Sequence, residues 1–545
     1  MDAAPRICDY LIQRLYALGV RHVFGIPGDY VLGFLHEIEA SALQVVNTCD
    51  EQGAGFAADA YARIRGLGVV CITYCVGGLK VANPVAGAFA EKSPVVIISG
   101  APGTTERVKN PLLHHKVRDF DTQSKVFEQL TVASTVLSDP HTACREIDRV
   151  LAAALRSKRP VYIELPRDMV TTRSRTDHSP PEPPEASDPD TLREALRETT
   201  ELINAARQPA MLAGVELHRF GLQDALLQLA EKTGIPVAAT MLGKSVIAEQ
   251  HPLYLGVYEG AVGRGDVRAY VESSDCLILL GAFMSDMNLG IFTANLDPGR
   301  SISVTSEKVS IRYHTYEDIR LDDMMRGLIA APIERRKPMR IPHPATPAPF
   351  APVAGAPVTV ERLFQRLNSF LDDDMVVVAD PGDAMFAGAD LFIQSRTEFL
   401  SPAYYTSLGF AVPAGLGVQL ANPKLRPLVL VGDGAFQMTG MELSTAVRFK
   451  LNPIVVVLNN RGYGTERPMQ DGAFNDILLW RYSRLPELFG TGQGFDVHTE
   501  EQLDDALERA RGNAESFSIL DVHLDPRDMS PALRRLTASL AERVR

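Results

Sequence analysis

The sequence predicts an α/β protein of three doubly wound domains, and three observations carry that prediction. Apolar runs of strand length, such as Val69–Thr73, Val95–Ser99 and Pro427–Val431, alternate with longer helical patterns, the arrangement that builds parallel sheets. Two proline-rich stretches, SRTDHSPPEPPEASDPD and KPMRIPHPATPAPFAPVAGAP, interrupt the alternation as extended linkers. A chain of 545 residues is also too long for one core. The expected domains are residues 1–178, 190–335 and 355–545.

Composition excludes several classes. With 46% apolar and 22% charged residues the chain reads as an ordinary globular protein. A net charge of −12 and the lack of a clustered basic arm argue against a nucleic-acid partner. The first residues place charges throughout an amphipathic helix, unlike a secretory signal, and no stretch is long and apolar enough to span a bilayer. The expected location is cytoplasmic. Six cysteines without CxxC spacing read as reduced core residues.

Taken in order, a helix from Ile7 to Leu18 leads into HVFGIPGDY, where Gly25, Pro27 and Gly28 break the strand and present Asp29 in a loop. A strand at Leu43–Val46 precedes a helix from Gln52 to Arg63, with Glu51 at its start, where a carboxylate is favoured. Either acid alone reads as a helix cap. The small residues of this helix, Gly53, Ala54, Gly55, Ala57 and Ala58, suggest close packing against a ligand or another helix. Asp29, Glu51 and Thr73 all fall at carboxyl ends of strands, where doubly wound sheets build their sites. Tandem His114-His115 has no third ligand at metal spacing and reads as a proton relay beside acids. VYIELP closes the first domain.

The middle region has strands near Pro209–Val215, Ile235–Thr240 and Cys276–Leu280, and Asp286 is its one notable acid. The last domain carries a second small-residue helix, AYYTSLGFAVPAGLGVQLA, and a strand at Phe517–Val522. It ends in a basic amphipathic helix, SPALRRLTASLAERVR, expected to pack as a terminus or to cover a cleft.

The most informative stretch is VGDGAFQMTGMELSTAVRFKLNPIVVVLNNRGYGTE. Strand, turn, helix and strand succeed one another, and a right-handed crossover would bring Asp433 and Asn459-Asn460 to one sheet edge. Asp433 offers a carboxylate and Asn460 an amide oxygen, ligands that Mg²⁺ accepts. Gly434 and Ala435 leave the following helix start open to an anion. The expected ligand is a diphosphate bridged to a metal.

GDG followed at this distance by NN resembles the thiamine diphosphate motif. With FGIPGD, DEQGAGFAADAYAR, AEKSPVVIISGAPGT, LLHH and NNRGYGTE, the chain is similar over essentially its whole length to the thiamine diphosphate-dependent 2-oxo acid decarboxylases, the group acting on pyruvate, indolepyruvate, phenylpyruvate and branched-chain 2-oxo acids. The resemblance implies that the first and last domains form the cofactor site. Asp433, the Asn460 side chain and the Gly462 carbonyl would hold Mg²⁺, with Gly434, Ala435 and Thr73 among the cofactor-binding residues. Glu51 would bond the pyrimidine N1′, the Thr406 carbonyl would hold the 4′-amino group, and Leu408 would wedge beneath the cofactor. Asp29, His114, His115 and Glu466 resemble the group that protonates the enamine after CO₂ leaves and releases an aldehyde.

Three departures stand out. Cys75 replaces the usual Gly, Gly464 and Thr465 replace a Thr and a bulky aliphatic residue, and Pro381 and Met385 occupy substrate-lining positions. They favour larger acids, such as phenylpyruvate, indolepyruvate or 2-oxoisocaproate, over pyruvate. The resemblance also implies a homodimer as the minimal active unit and a homotetramer as the usual assembly. A carboligating synthase or flavin-dependent oxidase on the same scaffold is disfavoured by His114-His115, Glu466 and the lack of a flavin motif. A catalytically silent scaffold is disfavoured by Glu51, Asp433 and Asn460.

Overall fold

The computed structural model describes residues 4–174, 186–337, 340–394 and 398–544, with side chains as far as residue 538. The body of the first proline-rich linker, residues 175–185, lies outside the described residues. Three parallel-dominated sheets organise the chain, as the alternation of apolar runs and helical patterns predicts.

The first sheet contains β1 (His22–Gly25), β2 (Gln44–Asn47), β3 (Gly68–Ile72), β4 (Val95–Ala101), β5 (Ser134–Val136) and β6 (Val161–Pro166), all parallel, in the order β2-β1-β3-β4-β6-β5. Helices cover both faces, so β3, β4 and β6 are buried at every residue and read in the sequence as unbroken apolar runs. The middle sheet comprises β7 (Pro209–Ala213), β8 (Val237–Ala239), β9 (Tyr254–Val257), β10 (Cys276–Leu280), β11 (Ser301–Val304), β12 (Val309–Ile311) and β13 (His314–Tyr316). Its order is β13-β12-β11-β10-β7-β8-β9, with antiparallel pairing only at the β11-β12-β13 edge.

The third sheet contains β14 (Met375–Ala379), β15 (Phe399–Leu400), β16 (Arg426–Gly432), β17 (Ile454–Asn459), β18 (Gln493–Val497) and β19 (Ser518–His523). All are parallel, in the order β15-β14-β16-β17-β19-β18, which repeats the first sheet strand for strand. Edge strand β18, QGFDV, is exposed at three of its five residues and lacks the apolar run that reveals its neighbours. The sequence reading does not anticipate it.

Two compact units emerge. One contains Met1–Pro184 with Gly409–Leu425 and Thr439–Pro453; the other contains Glu185–Leu408, Arg426–Met438 and Ile454–Arg545. Within the first, helix Glu51–Arg65 packs on helix Ala411–Ala421, so the two small-residue helices predicted separately serve each other. The approach demands their composition, since a side chain at Gly417 would fall 2.0 Å from the Ala57 carbonyl oxygen. All six cysteines are free, and only Cys49 is exposed. Among the described residues no helix is long and apolar enough to cross a membrane.

Candidate active site

In the first unit, chain breaks after β1, β2 and β3 place the expected polar residues at one sheet edge. Asp29 does not cap the next helix, Leu32–Glu39, which has no side-chain cap. Instead its Oδ2 lies 2.6 Å from His114 Nε2. Tyr30 stacks on His114 at 4.8 Å, and His115 meets His114 edge-on at 4.8 Å. Asp29 and His114 are exposed and His115 half-buried, with a buried Nδ1 that has no hydrogen-bond partner among the described residues. His115 also holds a left-handed backbone, φ 65°, unusual for a residue with a side chain.

Glu51 opens its helix, but the cap is its neighbour: the Asp50 carboxylate accepts the Gln52 N–H at 2.8 Å. Freed from capping, the largely buried Glu51 pairs with Lys80 at 2.8 Å, and Lys80 also bonds Asp50. Gly77 links Glu51 to Thr73: a side chain there would fall 3.2 Å from both Glu51 Oε1 and the Thr73 carbonyl. The Thr73 hydroxyl is buried without a partner among the described residues.

One carboxylate escapes the sequence reading. Glu442 is buried and accepts the N–H groups of Cys49 at 3.1 Å and Asp50 at 3.2 Å, together with the Thr445 hydroxyl at 2.9 Å. Burial raises its pKa above the usual carboxylate range. It fixes the chain immediately before Glu51, and no local pattern marks it.

The second unit supplies the other half of the expected set. Parallel pairing of β16 with β17 brings Asp433 and Asn460 to one edge, as the crossover rule predicts. Asp433 is 1% exposed, its Oδ1 accepts the Gly434 N–H at 2.8 Å, and its Oδ2 accepts the Gly462 N–H at 3.1 Å. Burial pushes its carboxyl up to about 6. Asn460 Oδ1 is buried with no partner among the described residues. Gly462, at φ 142°, admits only glycine, because a side chain would fall 2.0 Å from the Asn475 carbonyl oxygen. Its own carbonyl accepts the Gly464 N–H at 3.0 Å and retains a second lone pair.

Beside these donors lies a cavity of about 380 Å³, lined by Pro381, Met385, Thr406, Leu408, Gly434, Ala435, Thr465 and Glu466. Leu533 and Leu536 of the C-terminal helix Pro531–Val544 close one wall, so the tail covers a cleft as expected. Met287 joins them, while the preceding Asp286 stays exposed and accepts the Met287 N–H at 2.9 Å. Thr406 sits in the left-handed region, φ 55°.

Comparison with known proteins places this arrangement. Residues 5–124, 196–325 and 380–522 match the models for thiamine pyrophosphate enzymes, respectively the N-terminal TPP binding domain, the central domain and the C-terminal TPP binding domain. The fold and site thus define an enzyme that uses thiamine diphosphate. The indole-3-pyruvate decarboxylase of Azospirillum brasilense is 37% identical over 538 residues, 97% of each chain. The alpha-keto-acid decarboxylase of Mycolicibacterium paratuberculosis is 35% identical over 98% of this chain and 96% of its own, and that of Mycobacterium ulcerans 33% identical over 99% and 97%. The chain belongs to the thiamine diphosphate-dependent 2-oxo acid decarboxylase family.

Proposed function

We propose that this decarboxylase converts a bulky 2-oxo acid, aromatic or branched, non-oxidatively to an aldehyde and CO₂, with Mg²⁺ joining thiamine diphosphate. The observation that carries the size preference is the cavity wall. Met385, Phe386, Leu533 and Leu536 offer apolar surface, while Gly464 and Thr465 place little bulk beside Glu466. The name of the Azospirillum relative, an indole-3-pyruvate decarboxylase, points the same way.

The donors fit the metal. A buried carboxylate, an amide oxygen without a partner among the described residues and a glycine carbonyl form an all-oxygen set, and Mg²⁺ takes such ligands while keeping positions for water and phosphate. Asp433, Asn460 and Gly462 would hold it, with Gly434 and Ala435 at the diphosphate. Glu51, Thr73, Thr406 and Leu408 would hold the organic rings. Bound thiamine diphosphate supplies the electron sink that a 2-oxo acid needs to lose CO₂.

The remaining work is orientation and proton handling by the chain's own groups. Asp29, bonded to His114 Nε2, fixes that imidazole's orientation and favours a proton on Nε2. His115, with an unused Nδ1, is placed to take or give a proton. Glu466 brings a carboxyl to the cavity beside the substrate wall. We assign these four residues to protonation after CO₂ loss and to aldehyde release, and Glu51 to activation of the cofactor.

The proposed active unit is a homodimer, assembling to a tetramer, in which the first domain of one chain and the last domain of another share each cofactor. Six free cysteines suit the reducing cytoplasm.

The test is a screen with Mg²⁺ and thiamine diphosphate across pyruvate, 2-oxoisovalerate, 2-oxoisocaproate, phenylpyruvate, indolepyruvate and benzoylformate, detecting CO₂ and aldehyde together. The larger acids should give matching amounts of both and outrun pyruvate. A preference for pyruvate would overturn the size assignment, and CO₂ without aldehyde would overturn the non-oxidative outcome.

A further inference from the structure

Away from the cofactor residues, the pairing of β18 with β19 gathers a second set of ligating side chains. Alternation along an extended chain puts Asp496 and His498 on one face. The register sets Asp496 opposite Asp521 and Val497 opposite Val522, so the next residues, His498 and His523, stand side by side. Their rings stack at 4.0 Å with only 7° between planes. Both Nε2 atoms turn to one carboxylate: His523 Nε2 is 2.7 Å from Asp496 Oδ1, and His498 Nε2 is 3.4 Å from Asp496 Oδ2.

We propose that Asp496, His498 and His523 form a binding site for a divalent transition-metal ion of the Zn²⁺ class, separate from the cofactor's metal. Ligand bonds of about 2.0–2.2 Å put the donors of one ion within roughly 4 Å of each other. Donor atoms of these three residues already lie within 4.8 Å of one another, and tilting one imidazole out of the stack lets both ring nitrogens meet one ion. Two imidazoles and one carboxylate select a borderline ion over Mg²⁺ or Ca²⁺, which take oxygen. The carboxylate bonds His523 well and His498 loosely, and an ion shared by all three satisfies both rings.

The scaffold supports this use. His523 ends a central-side strand whose neighbours are β17 and β18, and His498 sits just before Thr499, whose capping box starts helix Glu500–Gly512. The His498 N–H is itself held by Gln502 Oε1 at 2.8 Å. Side chains of Asp496 and His498 are more than half exposed, which leaves coordination positions for water and a path for the ion. Asp521 lies 3.9 Å from His523 Nε2 and adds negative charge behind the site.

The experiment uses the full chain loaded with Mg²⁺ and thiamine diphosphate, with Co²⁺ as a visible-absorbing probe and Zn²⁺ in calorimetry. Wild type should take up one ion per chain at this site, with an absorption band of nitrogen-ligated Co²⁺. His498→Asn and His523→Ala should each weaken uptake by more than the about 10–100-fold that loss of an outer-shell partner costs. His498→Asn should leave decarboxylation unchanged, which separates this site from the Asp29–His114–His115 group. No uptake by wild type, or uptake undiminished in both variants, would overturn the assignment.

Discussion

In the first sheet the chain after β1, β2 and β3 delivers Asp29, Glu51 and Thr73; in the third, the chain after β14, β15 and β16 delivers Pro381, Thr406 and Asp433, and β17 adds Asn460. The strand orders are the same, and the chemistry at the edges is opposite. Asp29 and His114 face solvent and bond each other. Asp433 is buried, satisfied by backbone N–H groups, and stands beside an amide oxygen with no donor among the described residues. One edge offers imidazoles paired with an exposed carboxylate, and the other a buried set of oxygen donors. A shared topology fixes where side chains emerge, while burial decides what they can do.

If that contrast is sound, damage to the third sheet should abolish cofactor retention, whereas damage to the first should slow turnover with the cofactor still bound. The largest effect is expected from Asp433→Ala. Calorimetry with Mg²⁺ and thiamine diphosphate should find metal-dependent retention gone, a loss beyond the about 10–100-fold of an outer-shell change. Retention close to wild type would end the metal assignment. Glu51→Gln comes next: it keeps size and neutral hydrogen bonding, so fold and cofactor binding should persist while kcat falls by about 10²–10⁴. Near-normal turnover would remove Glu51 from the mechanism. His115→Phe preserves a ring but no proton, and kcat should fall by about 10²-fold, with aldehyde release measured separately. An unchanged rate of both steps would refute the relay.

The same contrast explains what the sequence could reveal. Asp433, Asn460 and the buried strands β4, β16 and β17 were legible because parallel strands covered on both faces leave continuous apolar runs, and crossover handedness then places their ends. The histidine pair was visible only as two adjacent residues, His114 and His115. Glu442 was not, since its partners Cys49 and Asp50 are remote in the chain and meet it only through tertiary packing. The division of labour at Asp50 and Glu51, one capping and one free, depends on side-chain rotamers that spacing does not set. Strand β18 hid because an edge strand alternates polar and apolar residues over too few positions. The cavity's Leu533 and Leu536 come from a helix whose docking depends on tertiary packing.

The smallest expected effect tests strain at the first edge against strain at the second. Cys75 stands in the left-handed region at φ 49°, where a residue with a Cβ is destabilised by about 1–2 kcal/mol. Its side chain is buried with Tyr30, Tyr74, Ala101 and Phe120, and its N–H donates to Gln123 Oε1 at 2.6 Å. Cys75→Gly removes the strain and keeps that backbone bond, but loses the thiol's packing and about 0.5–1 kcal/mol through the flexibility of glycine in the unfolded chain. These contributions oppose one another, so unfolding should shift by no more than about 1 kcal/mol. Gly462→Ala is the reverse change at the edge of the third sheet and has no such compensation, because the new Cβ would meet the Asn475 carbonyl oxygen at 2.0 Å. Thermal unfolding of both variants decides the matter. Should Cys75→Gly prove the more damaging, the packing beneath Tyr30, and through it the stacking on His114, matters more to the first edge than its backbone does.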